Sequence, residues 1–445
     1  MKTNENHRVI DIWKLDTERL ASMQLKISQN PKLLSKSAGK RSCTILRVPQ
    51  SLIEANGKAY QPRIVSIGPY HRGQPRLNMI EEHKYSYLNS LLTRTQLPLQ
   101  EILKAIAPLE TEARECYSEA IQLDSHEFVE MMLLDGCFIV ELFRKVARLV
   151  PFEDGDPLVN MQWILPYFYR DFLKLENQIP FFVLQRLFEI SKPSHENSTF
   201  TLSSLAMEFF NNSLQRPEEV IATISKQNEV PKHLLDLVRS SFIPISEKEK
   251  EHKRIKTPTH VIHCVSKLRH AGIKINPGKN SERESFLQVK FKHGVIEMPT
   301  ITMDDFMTSF LLNCVAFEQC YSGCSMKYFT TYVTLLDCLI NTYRDVEYLC
   351  ERNIIENHFG AEGEVAHIFN NAGKDVVVDL DLSYLSGLFN EVHHYYQNSW
   401  NVTWASFKYT YFNTPWSFIS AFAALVLLIL TIAQTYFAAY QYFDN

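Results

Sequence analysis

Glycine is scarce in this 445-residue chain, with 14 residues, about 3% against the ~7% of average usage. Turn-dense sandwiches and barrels need glycine at their tight turns, so the shortage leans the reading toward helices. Proline adds 19 residues, and neither type recurs with a period, which excludes collagen-like and low-complexity classes. No Gly-x-Gly-x-x-Gly and no Gly-x-x-x-x-Gly-Lys-Ser/Thr occurs. Dinucleotide and P-loop nucleotide sites therefore have no basis. Cys-x-x-Cys is absent too. Nine cysteines without framework spacing read as buried thiols of a reducing compartment, not as a disulfide scaffold or a closed zinc site. The first twenty residues, MKTNENHRVIDIWKLDTERL, lack the apolar run of a secretory signal peptide. The formal charge is −4, and the basic residues of 245–258 are interleaved with Glu, so no nucleic-acid footprint exists.

What is present is bulk. Hydrophobic residues make up 45%, charged ones 22% and aromatics 12%, which excludes wholesale disorder and promises a large core. The C-terminal region is the sharpest feature. No Lys, Arg, Asp or Glu falls between Tyr409 and Phe443. A bilayer core of ~30 Å needs about 20 apolar residues in a helix, and Phe418 to Ala439 is nearly all apolar. Pro415 suits a first helical turn, with Thr414 as N-cap. Trp400, Trp404, Tyr409, Tyr411 and Trp416 precede the stretch, and Tyr436, Tyr440 and Tyr442 end it, as an interfacial belt would. The expectation is a single-pass membrane protein with a C-terminal anchor in contact with lipid, in the plasma membrane or an endomembrane. Lys408 precedes the span and no basic residue follows, so the positive-inside rule keeps the bulk cytosolic. Asn197, Asn211 and Asn401 are sequons that would carry glycans only in a lumen.

Along the chain, residues 1–40 read as a polar segment with a helix from Asp16 to Ile27, and 41–405 as one large domain. Residues 406–415 form an aromatic juxtamembrane stretch, 416–438 the transmembrane helix and 439–445 a short tail. Within the domain, CTILRVPQ and Ala59–Ile67 read as extended, broken by Pro49 and Pro62. A helix begins at Leu77 with Glu81 and Lys84 paired on its outer face, and another covers residues 109–123. Glu127–Leu149 is apolar all round, so it belongs at the centre. Met161–Asn177 and Pro180–Ile190 read as helices, and 191–200 and 245–258 as surface loops. A short helix follows near Val261–His270. SFLQVKFKHGVIEMPTITM alternates with period two and breaks at His293-Gly294, a hairpin. Thr302 and Asp305 resemble a capping box. One long stripe runs from Phe329 to Cys350, and a helical pattern continues from Leu385 to Tyr396. The fold class is mainly α, with a small β element and a hairpin.

Candidate chemistry is thin. Ser66 and His71 lie at a strand end and, with Glu176 of LENQIP, could line a hydrolase-like pocket. No Gly-x-Ser-x-Gly frames the serine and no Asp is placed to orient the histidine. Pro180 stops a helix, and Asn177 and Gln178 can satisfy the main-chain groups orphaned there, so a structural role competes. Glu364/His367 and Glu391/His394 each form a Glu-x-x-His. With 34 Glu and 15 His in the chain, chance supplies about one such pair. Cys314, Cys320 and Cys324 cluster but read as core thiols. No catalytic, cofactor-binding or metal-binding residue is assigned.

An ordered series of blocks carries a resemblance. RVPQSL (Arg47–Leu52), AYQPRIVSIGPYHRG (Ala59–Gly73), EEHKYSYL (Glu81–Leu88), LDGCFIVELF (Leu134–Phe143) and LENQIPFFVL (Leu175–Leu184) come first. GVIEMPTITMDDFMTSFLLNCVAFEQC (Gly294–Cys320), TYVTLLDCLINTYRDVEYL (Thr331–Leu349) and YFNTPWSFIS (Tyr411–Ser420) complete it. The series resembles the plant-specific family called domain of unknown function 247. Phe306 and Met307 stand where small polar residues are usual, and residues 1–40 match nothing. The resemblance implies a single-pass plant membrane protein without known activity or cofactor, some of whose relatives act in recognition during grass self-incompatibility. The combined reading is a membrane-anchored, non-enzymatic recognition or signalling module working through a protein partner. The alternative is a membrane-bound enzyme at Ser66, His71 and Glu176.

Overall fold

Asp124 opens the helix around which the rest is arranged. Its carboxylate accepts from the Glu127 N–H at 2.8 Å, and Glu127 accepts from the Asp124 N–H at 3.1 Å, satisfying two orphan donors at once. The helix Ser125–Val146 follows, and every residue from Met131 to Lys145 is buried. Helices Asn78–Thr95, Leu99–Ile106, Phe181–Ile190 and Leu202–Leu214 pack around it. Gly136 lets one of them come close, because a Cβ there would collide with Leu187 Cδ1.

A computed structural model describes residues 17–28, 42–153, 155–156, 158, 161–192, 200–224, 230–244, 261–278, 285–324, 326–398, 403 and 415–443. Residues 193–199 of the loop expected over 191–200, the whole of the loop expected over 245–258, and the sequons Asn197 and Asn401 lie outside them.

A second centre forms around helix Asp305–Cys320, against Tyr328–Leu339, Leu234–Phe242 and Leu165–Asp171. Its cap is Asp304, which accepts from the Met307 N–H at 2.7 Å. The expected Thr302 cap fails because Thr302 lies in a strand, Ile301–Met303, and bonds Glu356 instead. The single stripe expected over 329–350 is two helices, Tyr328–Leu339 and Tyr343–Glu351. Asp345 causes the break: its carboxylate accepts the Thr342 N–H and the Ser266 N–H, each at 3.0 Å, which starts a new helix at Thr342. One apolar cluster nevertheless extends from Ile45 to Val392, joining both centres.

The predicted hairpin is present. Strands β1 (Lys274–Pro277), β2 (Lys290–Lys292) and β3 (Val295–Met298) form a sheet in the order β1-β3-β2. β2 and β3 are antiparallel, joined by His293 and Gly294 at φ 50° and 77°, the primed turn that tight hairpins prefer. β4 (Ile301–Met303) and β5 (Ile355–Asn357) make a separate parallel pair.

Other boundaries shift. The first helix is Thr17–Ser28. The helix expected over 109–123 stops at Glu115, the one expected to Asn177 stops at Asp171, and the one near Val261 begins at Val265. The extended stretches before residue 68 form no sheet; their one β contact is an isolated bridge between Ile45 and Tyr117. At the other end, Pro415–Phe443 is helical. Its Phe418–Tyr436 portion has a mean hydropathy of 2.2, is long and apolar enough to cross a bilayer, and has none of its length buried in the protein.

Candidate functional site

Proline and glycine keep residues 59–68 out of regular structure, yet most of this segment is buried. Buried main-chain donors need partners. Side chains supply them where a neighbouring strand would. Asp171, fully buried at the end of its helix, accepts from the N–H groups of Arg63 at 2.9 Å, Ile64 at 2.8 Å and Val65 at 3.2 Å. Asn177 Oδ1 accepts from Ile67 N–H at 2.8 Å, while its amide donates to Val65 O at 3.2 Å and Asp171 O at 3.0 Å. Asp135, in the central helix, accepts from Gly68 N–H at 2.7 Å. Gly68 sits at φ 74° with the Gln178 carbonyl where a Cβ would be, so a side chain there is excluded on both counts.

Lys84 completes this hub. Its ammonium donates to Ser66 O, Asp135 Oδ1 and Glu81 Oε1, each at 2.6 Å. The expected outer-face pair with Glu81 is therefore wrong about Lys84, which is 1% exposed. Asp135 is a buried carboxylate in an apolar helix and draws the cation inward.

LENQIP serves the same hub. Gln178 donates to Phe172 O at 2.6 Å and Lys174 O at 2.8 Å, which closes the preceding helix end. Leu175 N–H donates to Asn313 Oδ1, and Tyr117 OH to Gln178 O. Glu176 accepts from Val48 N–H and from Arg47 Nη1, both at 2.8 Å.

The residues singled out for chemistry are only partly brought together. His71 Nε2 stands 3.6 Å from Glu176 Oε2, too far for a hydrogen bond, and the Gln74 amide donates to His71 Nδ1 at 3.0 Å. Burial, then Arg47 and Arg76, lowers the His71 pKa to about 4, so the ring is neutral at pH 7. The Ser66 hydroxyl is buried and bonds neither residue, so the hydrogen-bonded serine–histidine pair of a nucleophilic mechanism is not formed. Glu364, His367, Glu391 and His394 lie on exposed helix faces. Among the described residues, no group of three metal-ligating side chains occurs. Cys314 is fully buried, and burial holds its thiol well above the usual range; Cys324 is pushed up to about 12, leaving both as poor nucleophiles at neutral pH.

Sequence reasoning missed Asp135, Asp171, Lys84 and Lys174. The available signal was a charge inside an apolar run, as in LLDGCFIV and RDFLKLEN, since such a charge must find a buried partner. Next to Asp171 a cleft of about 330 Å³ opens between the Gln50–Asn56 helix, residues 57–63 and the first turns of the Asp305–Cys320 helix.

Residues 45–430 match the family DUF247, described as plant protein of unknown function. The chain is 38% identical over 440 residues to the UPF0481 protein At3g47200 of Arabidopsis thaliana, covering 94% of this chain and 90% of that one. A second Arabidopsis thaliana UPF0481 protein, At3g02645, is 21% identical over 495 residues, covering 90% and 91%. No solved structure matches the chain.

Proposed function

The chain belongs to the DUF247 family of plant proteins of unknown function, and from that footing we propose that it is a membrane-anchored recognition or signalling module, not an enzyme, acting through a protein partner. One observation carries the anchor. Phe418–Tyr436 stands clear of the body with mean hydropathy 2.2, and Phe418, Ile419, Phe422 and Leu425 through Leu430 are all exposed. Each such side chain gains ~1.5 kcal/mol or more on leaving water, and lipid is the solvent that accepts a whole helix of them. Residues 416–438 then span the bilayer, 406–415 lie at its surface, 439–445 form the far tail, and the 41–405 body faces the cytosol, with Lys408 on that side.

The recognition role draws its support from the hub. Asp171, Asn177 and Gln178 are spent on main-chain groups, Asp135 on the Gly68 N–H and the Lys84 ammonium, and the Ser66 hydroxyl has no hydrogen-bond partner. Membrane fractionation of the full chain and of a chain ending at Asn401 tests the anchor. The full chain should resist alkaline carbonate extraction and the shorter one should be released; equal retention of both refutes the anchor. Proximity labelling from the full chain should then recover a reproducible set of proteins, and labelling no different from an unrelated anchored control refutes the recognition role.

A further inference from the structure

The cleft beside Asp171 is unevenly charged. Four cations line it, Lys58, Arg63, Arg170 and Lys174, against two carboxylates, Asp171 and Asp305. Asp171 is already committed to three main-chain N–H groups. Asp305 pairs with Arg170 at 2.9 Å. No carboxylate of the described residues lies within ion-pair distance of Lys58, Arg63 or Lys174. The Lys174 ammonium donates to Ala59 O and to Ser309 Oγ, both neutral. Burial lowers its pKa to about 8, which still leaves it mainly cationic at neutral pH. Two further polar atoms of lining residues, Arg170 Nε and Thr308 Oγ1, are shielded from solvent and lack a hydrogen-bond partner, an uncommon state for buried groups.

The lining also includes three apolar side chains, Leu312, Phe359 and Ile368. The cleft also meets the first two turns of the 16-residue Asp305–Cys320 helix, through Asp305, Thr308, Ser309 and Leu312. A volume of about 330 Å³ is at the small end of ligand sites.

We propose that this cleft binds a small phosphate monoester, its dianionic head drawn by Arg63, Lys58 and Lys174 and its apolar body resting on Leu312, Phe359 and Ile368. The head's two negative charges match the excess of two cations over carboxylates. Guanidinium and ammonium groups are the usual partners of phosphate oxygens. The inference is independent of the membrane and recognition readings, because it concerns only the body.

The test is ligand-observed ³¹P NMR with phenyl phosphate as probe, on the purified full chain in a non-ionic maltoside detergent. Submillimolar binding is expected, at least tenfold tighter than inorganic phosphate, and benzyl alcohol should not displace the probe. The Arg63→Ala/Lys58→Ala double variant should weaken binding at least tenfold without changing the melting temperature, because both side chains are exposed. Arg63→Lys should retain binding within a few-fold. No binding at 5 mM phenyl phosphate overturns the proposal. So does inorganic phosphate binding as tightly as the ester, displacement by benzyl alcohol, or double-variant affinity within twofold of the parent.

Discussion

Replacing Asp171 with Ala isolates the device that holds residues 63–65. The native carboxylate accepts from Arg63, Ile64 and Val65 at 2.8 to 3.2 Å. Ile64 and Val65 are buried, so water does not readily replace the lost acceptor. A buried donor left unpaired costs ~1–3 kcal/mol, and two of them give ~2–6. Arg63 is exposed and adds little. An opposing effect trims the loss: burial raises the Asp171 pKa, with the Ile64 and Arg63 N–H groups pulling the other way, so the native state holds this charge at some cost that Ala removes. The net expectation is a destabilisation of about 2–4 kcal/mol, a large share of a typical domain's stability. Urea unfolding of the full chain in non-ionic detergent, followed by circular dichroism, measures it. Asp304→Ala, which removes an ordinary helix cap, provides the scale at ~1 kcal/mol. If Asp171→Ala costs no more than Asp304→Ala, and the Ile64 and Val65 amides exchange no faster with deuterium, the claim that this carboxylate replaces a strand is refuted.

The same assay reads three other outcomes. His71 and His233 are both lowered from 6.5 to about 4, chiefly by burial. Unfolded imidazoles therefore take up protons first as pH falls, and stability present above pH 6.5 is lost on the way to pH 4. Between pH 7 and 5 the pair should cost about 3–4 kcal/mol, and His71→Asn should remove about half of that slope; a flat profile contradicts the burial argument. Gly68→Ala meets both a left-handed backbone and the Gln178 carbonyl, whereas Gly73→Ala, at φ 78° with nothing near its Cβ, meets only the first. We expect about 1 kcal/mol for Gly73→Ala and at least ~2 kcal/mol more for Gly68→Ala, and equal losses would place no weight on the Gln178 contact. Glu318 is fully buried and accepts from Arg239 at 3.2 Å and from Thr330 N–H at 2.8 Å. Glu318→Ala should cost ~3–5 kcal/mol, because it leaves Arg239 with Asp236 as its remaining carboxylate and strips the acceptor from the buried Phe329 and Thr330 N–H groups, and Glu318→Gln, which keeps an acceptor, should cost less than Glu318→Ala.

Periodicity made the large features legible. Apolar positions on every face of 127–146 placed that helix at the centre, and alternation with His293-Gly294 placed the hairpin. Those signals are local. Charges inside apolar runs misled, because their partners are distant in sequence. Spacing pairs Lys84 with Glu81, a contact that does form, but the buried partner that draws it inward, Asp135, is 51 residues away. The stripe expected over 329–350 is divided by Asp345, which caps at Thr342 and holds Ser266, 79 residues away. At the candidate site, the proximity of His71 and Glu176 was legible and the separation of the Ser66 hydroxyl was not, since hydroxyl direction depends on how residues 63–68 are tethered. The cationic cleft escaped altogether: Lys58 and Arg63 lie more than a hundred residues from Arg170 and Lys174, and the two pairs meet only in the folded chain.

The tethering also links six of the family-like sequence blocks to one another. RVPQ supplies the Val48 N–H and Arg47 that Glu176 of LENQIP receives. AYQPRIVSIGPYH supplies donors to Asp171, to Asn177 of LENQIP and to Asp135 of LDGCFIV. Lys84 of EEHKYSYL returns to Ser66 and Asp135. Asn313, in the Gly294–Cys320 block, holds both Leu175 and Ala59. Each of these six blocks bonds another of them, so changing one alone leaves a buried polar group unpaired. The residues of these blocks thus hold the body together. The tethering leaves two surfaces of the described residues without a protein partner: the bare apolar rod at 418–436, and the cleft where Lys58, Arg63 and Lys174 have no carboxylate within ion-pair distance.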